Sequence, residues 1–309
     1  MGPVLIKKLL ELGHTVRVID NFWSGNQDSL AGLGIDLVEG DIRNLDEIQP
    51  VMEGIEVVFH LAAQPSVPIS EVESNYTEQA NVTGTRLLLS AAKKEGVKQF
   101  IYYSTMGVYG NVSDGLITES TALNPTCQSS ITKTAGEFLC KSFWLNYQLP
   151  AVILRYGVVY GPSPGLQYFD EFHGTLPNRS VSLAMSKAPI TIYGSGNQTR
   201  GFIHVEDAAD LGILVMNKDG IQGEAFNAIS EVLTINEFVK TVESVIKDQE
   251  KLPVEIKYLP NPRIEEVSLP YTASSEKIKD VLGFNTRYTL PAGISQLINW
   301  LKEKGLECK

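Results

Sequence analysis

The sequence predicts an α/β fold, a doubly wound parallel sheet with a smaller lobe interleaved towards its C-terminal side. Three observations carry this. Strand-like runs alternate with segments of helical periodicity through the first half of the 309 residues, the pattern of right-handed crossovers in a parallel sheet. The runs VVFHLA (57–62) and FIYYS (100–104) are apolar nearly throughout, as suits strands covered on both faces. Past Gly161-Pro162 the rhythm breaks, with Pro164, Gly165, Pro177 and Pro189 dividing the chain into loops and short elements.

Residues 1–13 open the chain as an amphipathic helix. Leu5, Leu9 and Leu12 recur at helical spacing, Pro3 suits a first turn and Gly13 stops it. A strand follows at 16–20 and ends in Asp20. Further strands are predicted at 36–39, 57–61, 100–104 and 152–156, with helices at 45–52, 75–94 and 131–145. Later elements are a strand at 202–205 and helices at 207–216, 235–245, 275–282 and 290–302. The division is a first lobe over 1–160, with 201–229 returning to it, and a second lobe over 161–200 and 230–309. A ligand cleft belongs between them, outside the carboxyl ends of the strands.

Composition excludes several classes. A hydrophobic fraction of 43% suits a soluble globular chain with a sizeable core. A net charge of −10 argues against nucleic acid as a partner. No apolar run is long enough to span a bilayer, and no basic start followed by an apolar core suggests export. Cys127, Cys140 and Cys308 are odd in number and lack CxxC spacing. They fit a reducing, cytoplasmic setting rather than a disulfide framework or a zinc site. The 4 histidines are scattered, so no metal is expected. Three glycosylation sequons, at Asn81, Asn178 and Asn197, are read as chance matches in a chain without an export signal.

Two runs carry the chemistry. Ser104-Thr105-Met106-Gly107-Val108-Tyr109-Gly110 resembles the S-[ST]-x-x-V-Y-G strand end of the extended short-chain dehydrogenase/reductases, the NAD-dependent nucleotide-sugar epimerases and dehydratases. Pro125-Thr126-Cys127-Gln128-Ser129-Ser130-Ile131-Thr132-Lys133 resembles that family's P-x-S-x-Y-x-x-[ST]-K segment. The resemblance implies a Rossmann-like NAD-binding lobe and a substrate lobe for a nucleoside-diphosphate sugar. It also exposes a departure. The family's proton-exchanging tyrosine falls on Ser129, whose hydroxyl is shorter and a far weaker acid than a phenol of pKa ~10.

Other positions follow from the same resemblance. Thr105 is to meet the sugar's reacting oxygen, with Ser104 beside it, and Lys133 the nicotinamide ribose. By itself Thr105 is a β-strand threonine. Asp20, followed by Asn21-Phe22-Trp23-Ser24-Gly25, is placed to accept the adenosine ribose hydroxyls and to repel a 2′-phosphate, so NAD is the expected cofactor. Without that context Asp20 is a cap or turn acid. Gly40-Asp41-Ile42-Arg43 matches the segment flanking adenine. In His60-Leu61-Ala62-Ala63-Gln64, small residues at a strand end let backbone approach the cofactor, while His60 itself reads as a packed core histidine. Asn81 matches the asparagine that pins backbone near the nicotinamide, and Tyr156 is counted with the cofactor positions. Leu154-Arg155-Tyr156-Gly157-Val158-Val159-Tyr160-Gly161-Pro162 puts Val158 where the family has an asparagine at the sugar. The run 190–207, with Y-G-x-G-x-Q-x-R at its centre, makes Arg200 a diphosphate ligand. Arg263 fits the second such arginine. Cys127 is the nearby thiol able to titrate, though its spacing suits loop packing.

Ahead of the first helix, the family has a strand and G-x-x-G-x-x-G, whose close backbone and helix N-terminus receive the pyrophosphate. Gly2 fits the last glycine. The expectation is a start at an internal methionine or a truncated chain, with genuine remodelling as the other reading. Thr105 is followed by Met106-Gly107 rather than the dehydratases' Asp-Glu pair, so UDP-sugar 4-epimerisation is the leading expectation. Two alternatives stay open: a catalytically impaired nucleotide-binding pseudoenzyme, and altered redox chemistry on another substrate. A homodimer is left open.

Overall fold

The computed structural model describes residues 1–112, 115–164, 175–261 and 271–305. The first helix, α1 (Gly2–Glu11), carries a proline in its first turn and buries Val4, Leu5, Ile6 and Leu9. Strands β1 (Arg17–Asp20) and β2 (Asp36–Glu39) pair in parallel. Helix α2 (Leu45–Met52) starts where the Asn44 side chain accepts the Asp46 N–H, satisfying one of the donors a helix start leaves orphaned. Then come β3 (Val57–His60), α3 (Val67–Val72), α4 (Ser74–Glu78) and α5 (Thr85–Glu95). Strand β4 (Gln99–Thr105) is followed by the short β5 (Leu116–Ile117), the long α6 (Gln128–Tyr147), β6 (Ala151–Tyr156) and β7 (Val158–Tyr160).

Helices α4 and α5 are joined by a π-helical stretch, Gln79–Gly84, where the sequence predicts one regular helix over 75–94. Such wide turns interrupt an α-helix mostly at functional sites. Gly84 closes the stretch because a Cβ there would stand 2.7 Å from Cδ1 of Ile42.

The second half runs α7 (Leu176–Met185), β8 (Ile190–Tyr193), β9 (Thr199–His204), α8 (Val205–Met216), β10 (Ala225–Ala228) and β11 (Glu231–Thr234). It ends with α9 (Ile235–Glu250), β12 (Ile256–Leu259), β13 (Thr272–Ala273), α10 (Glu276–Leu282) and α11 (Leu290–Lys304).

The central sheet is parallel, in the order β10-β6-β4-β3. One face packs on Leu5 and Leu9 of α1, Leu211 and Val215 of α8 and Ile278 of α10. The other packs on Ile48, Leu89, Ala92, Cys140 and Phe143 from α2, α5 and α6. Each fully buried Ile, Leu or Phe contributes roughly 1.5–3 kcal/mol. A separate core joins Val181, Ile190, Ile192, Phe238, Val242, Ile294 and Leu297 of α7, β8, α9 and α11. Strand β7 follows β6 directly and joins a small sheet ordered β11-β9-β7. Helix α8 and strand β10, from the second half of the chain, pack on and extend the central sheet.

The β1-β2 pair stands apart, and among the described residues no strand links β1 to β3.

Candidate active site

The C-terminal end of β4 and the N-terminal half of α6 form the site's base. Thr105 caps the 3-10 turn Met106–Tyr109, its Oγ1 accepting the Gly107 N–H at 3.1 Å. The turn leaves at Gly110 with φ 63°, and a Cβ there would collide with the Asn124 carbonyl. On α6, Ser129 and Lys133 lie one helical turn apart, so both face the same side. The Ser129 hydroxyl donates to the Pro65 carbonyl at 3.3 Å. The Lys133 ammonium donates to the Tyr103 carbonyl at 2.7 Å. Burial lowers the Lys133 pKa to about 8, against the raising influence of Cys140 and Glu137.

Asn81, on the π-helical stretch, ties three elements together. Its Oδ1 accepts the Gln64 N–H at 2.7 Å, and its Nδ2 donates to the Gln64 carbonyl at 3.1 Å and to Thr132 Oγ1 at 2.9 Å. The loop after β3 is thereby fixed against α6.

A buried charged network lies directly behind. Ser104 Oγ donates to Glu137 Oε1 at 2.5 Å, and Glu137 is one turn beyond Lys133. Arg155 of β6 forks onto Glu137, at 2.7 Å from Nη2 to Oε2, and its Nη1 donates to the Tyr109 hydroxyl at 2.7 Å. Tyr109 donates in turn to Asn227 Oδ1 at 2.7 Å. Sequence reasoning missed this network, although Glu137 four residues after Lys133 was a visible signal.

The nearest phenols cannot replace the missing one. The Tyr102 hydroxyl donates to the Lys133 carbonyl under α6, and burial pushes the pKa of both Tyr102 and Tyr103 up. His60 is held by Thr85 at 2.8 Å. Burial, reinforced by the Lys133 charge, lowers its pKa to about 3, so it stays neutral. Cys127 Sγ lies 3.2 Å from Ser130 Oγ.

On the cofactor side a cavity of about 1010 Å³ is lined by Gly2, Asp20, Asn21, Phe22, Ser24, Gly25, Asp41, Ile42, Leu61, Ala62 and Ala63. Asp20 Oδ1 accepts the Phe22 N–H at 2.8 Å, and Phe22 takes a positive φ of 51°. Burial pushes the Asp20 pKa up, against that backbone hydrogen bond. Hydrogen bonding to the Arg43 guanidinium lowers the Asp41 pKa to about 2. Trp23 stacks on Tyr76 with ring centroids 4.9 Å apart, and the Arg43 guanidinium carbon stands 4.5 Å from the centroid of the same Tyr76 ring. This aromatic rim was not foreseen.

Several expected residues lie elsewhere. Tyr156 does not reach the cavity: its hydroxyl donates to the Ala208 carbonyl at 2.9 Å and its ring stacks on Tyr103 in the core. Strand alternation is the reason, since neighbouring Arg155 takes the opposite face. Gln64 is turned inward, its Oε1 accepting the Ser66 N–H at 2.7 Å. Val158 begins β7, and Arg200 on β9 donates to its neighbour's carbonyl at 2.8 Å. Arg263 lies outside the described residues. Among the described residues no cluster of His, Cys, Asp or Glu is arranged to hold a metal ion, and no helix is long and apolar enough to cross a membrane.

The cavity suits the adenosine half of a dinucleotide. A carboxylate stands at a strand end, and the small side chains of Ala62 and Ala63 leave backbone accessible. For the pyrophosphate, the chain offers the start of α1 at Gly2.

Residues 1–228 match the model of the NAD dependent epimerase/dehydratase family. The human dTDP-D-glucose 4,6-dehydratase is 31% identical over 272 residues, covering 86% of this chain and 75% of that protein. The crystal structure of a UDP-glucose 4-epimerase from Thermotoga maritima, with UDP-glucose, superposes with a TM-score of 0.87 at 28% identity, over 99% of this chain and 96% of that one. A UDP-glucuronic acid 4-epimerase from Bacillus cereus, in complex with UDP-glucuronic acid and NAD, gives 0.86 at 26% identity, over 98% and 96%.

Proposed function

Because this chain belongs to the NAD-dependent epimerase/dehydratase family, we propose that it binds NAD and a nucleoside-diphosphate sugar, with UDP-sugar 4-epimerisation as the reaction its site is derived from. The observation that carries the reading is Asn81, which fixes the loop after β3 against the helix bearing Ser129 and Lys133. Asp20, with the 21–25 turn, Asp41, Ile42 and the 61–63 strand end, would hold the adenosine half. NAD, when bound, supplies a hydride acceptor that can return what it takes. Thr105 would hold the sugar's reacting oxygen and Lys133 the nicotinamide ribose. Arg200 and Arg263 would hold the diphosphate, a natural use of guanidinium forks, with Val158 at the sugar. The lobes proposed are 1–160 with 201–229, and 161–200 with 230–309. Met106-Gly107 after Thr105 disfavours elimination by the dehydratase route.

A second reading is a catalytically impaired nucleotide-binding protein. Two observations favour it. Ser129 is engaged with Pro65, and Lys133 with Tyr103, so no acidic hydroxyl connects Thr105 to the lysine.

The substrate side is tested by calorimetry with UDP and dTDP, and by the absorbance and mass spectrum of ligand released from the purified protein. Folded protein that binds neither nucleotide would end the substrate assignment. If either binds, Arg200→Ala should weaken it by roughly 1.5–3 kcal/mol, the range for hydrogen bonds to charged groups. Helix α6 exposes Ile131, Phe138 and Leu145 at a seven-residue spacing, a stripe suited to a homodimer. Sedimentation should then show a dimer for wild type and a monomer for Phe138→Asp.

A further inference from the structure

We propose that His204 is a pH-sensitive N-cap, whose protonation loosens the start of α8 and, with it, the turn that leads into α11.

Helices usually begin at Ser, Thr, Asp or Asn, whose side-chain oxygen accepts an orphaned N–H of the first turn. Helix α8 begins instead at His204, whose Nδ1 accepts the Glu206 N–H at 3.3 Å. A ring nitrogen accepts only while it carries no proton, so this bond puts the ring hydrogen on Nε2. A second proton, on Nδ1, sets two donors against each other. It also places a positive charge at the positive end of the helix dipole. One protonation therefore removes the cap and opposes the dipole together.

The ring has no room to turn away. It is wholly buried. Tyr288 stacks on it with centroids 3.9 Å apart, and Tyr160 stands edge-on at 5.3 Å. A Cβ at Gly293 of α11 would lie 2.8 Å from His204 Cδ2, and one at Gly161 would collide with Nε2. Among the described residues Nε2 has no hydrogen-bond partner, and neither have the Tyr160 hydroxyl and Gln296 Oε1.

Charged and polar groups face the ring from every side. Glu206 of α8 and Gln296 of α11 favour a protonated ring, while Arg287, just ahead of α11, and Lys8 of α1 oppose it. The Glu206 carboxylate is already paired with Lys8 at 2.8 Å, and Arg287 with Asp210. Asp207 and Glu231 act on the neighbouring Tyr160. Burial outweighs all of these and lowers the His204 pKa to about 4.

Loss of the cap reaches beyond α8. Asp207, buried in the first turn, accepts the backbone N–H groups of Arg287 and Tyr288, each at 3.1 Å. These bonds hold the chain that enters α11, a helix of the second core. On the ring's other side, Asn178 of α7 bonds both the N–H and the carbonyl of Gly161, at 3.1 and 2.9 Å. One titratable ring thus sits where α7, α8 and α11 meet.

An opened start of α8 returns His204 to its ordinary pKa of 6.5, whereas the closed form keeps it near 4. Between these values opening takes up a proton, so each unit of acidification favours it by up to about tenfold. Above that window the closed form has its full stability, and below it nothing more is lost.

The test uses the 309-residue protein, whose 4 histidines suit nitrogen-15 NMR of the rings. At neutral pH the His204 proton should be found on Nε2. Hydrogen exchange, expressed as protection over the intrinsic rate, is read at Glu206, Arg287 and Tyr288, with β4 and β6 amides as reference. Protection at the three should fall about fivefold or more per pH unit between pH 6.5 and 4.5, with the reference amides steady. His204→Asn supplies a cap that does not titrate, and should abolish this dependence. The same dependence in His204→Asn would overturn the proposal by assigning the effect to Asp207 or Glu231. Parallel loss at β4 and β6 would overturn it too, since the opening would then be global. Should the variant not fold, wild type alone decides: a proton on Nδ1, or a ring that titrates near 6.5, would overturn it.

Discussion

The Lys133 ammonium donates to the Tyr103 carbonyl at 2.7 Å, which fastens helix α6 to strand β4 one helical turn from Ser129. A wholly buried amine with that partner holds its proton less firmly than a free lysine. Its pKa is lowered from 10.5 to about 8, chiefly by burial. Between those values the unfolded chain binds a proton that the native chain has shed, so stability rises with pH across that window. Below about pH 8 both states are protonated and the cost of burying the charge is present in full. Urea midpoints of wild type and Lys133→Met should therefore diverge in slope between pH 8 and 10.5, with only wild type gaining from this group. Parallel slopes would show that the lysine titrates normally.

Glu137 and Arg155 form an ion pair with side-chain exposures of only 3% and 7%. Removing one member leaves the other charge buried and unpaired, a loss of roughly 3–5 kcal/mol. Glu137→Leu or Arg155→Met should each lower the unfolding free energy by about that much. The double variant should cost clearly less than the sum of the two, because neither charge is stranded. Additive losses would mean that the two side chains act independently.

These particulars show what the sequence could and could not disclose. Strand β2 and helix α2 fall at the predicted 36–39 and 45–52, because a local cap and local apolar spacing define them. Helix α7 and strands β7, β8 and β12 were not placed. They are short, and their stability comes from partners far along the chain, such as β12 against β8. The π-helical stretch at Asn81 is likewise set by tertiary contacts, with Gln64 and Thr132. Tyr156 could have been oriented from the sequence: Arg155 and Tyr156 are neighbours on one strand and must take opposite faces. The Glu137–Arg155 network was legible only in part, since helical spacing puts Glu137 near Lys133 but says nothing of β6.

The choice between NAD and NADP rests on Asp20. Its carboxylate ends β1 at the cavity wall, with Gly25 close beside it. A negative charge there opposes a 2′-phosphate. Calorimetry should find NAD the tighter ligand for wild type, and Asp20→Ala should narrow or reverse the gap. Tighter NADP binding by wild type, or an unchanged preference in the variant, would remove Asp20 from this role.

The last prediction concerns Ser129, the position where the family resemblance expects a tyrosine. Its hydroxyl is spent on the Pro65 carbonyl at 3.3 Å, and it is too weak an acid to exchange the sugar proton. General acid–base catalysis typically contributes roughly 10²–10⁴-fold, so wild type should show no more than a trace rate of sugar oxidation at saturating NAD. Ser129→Tyr places a phenol one helical turn from Lys133, whose charge would ease its ionisation. The site is tight, with Ser129 only 5% exposed, so the ring must displace the Pro65 loop, and Val158, where the resemblance expects an asparagine, would leave the proposed sugar side one polar contact short. Single-turnover NADH absorbance should nonetheless rise at least tenfold in Ser129→Tyr. Robust wild-type turnover that survives Ser129→Ala would assign the proton to another group, with Cys127 the first to replace. A Ser129→Tyr variant that binds NAD and UDP-sugar yet stays inactive would favour the nucleotide-binding reading over the catalytic one.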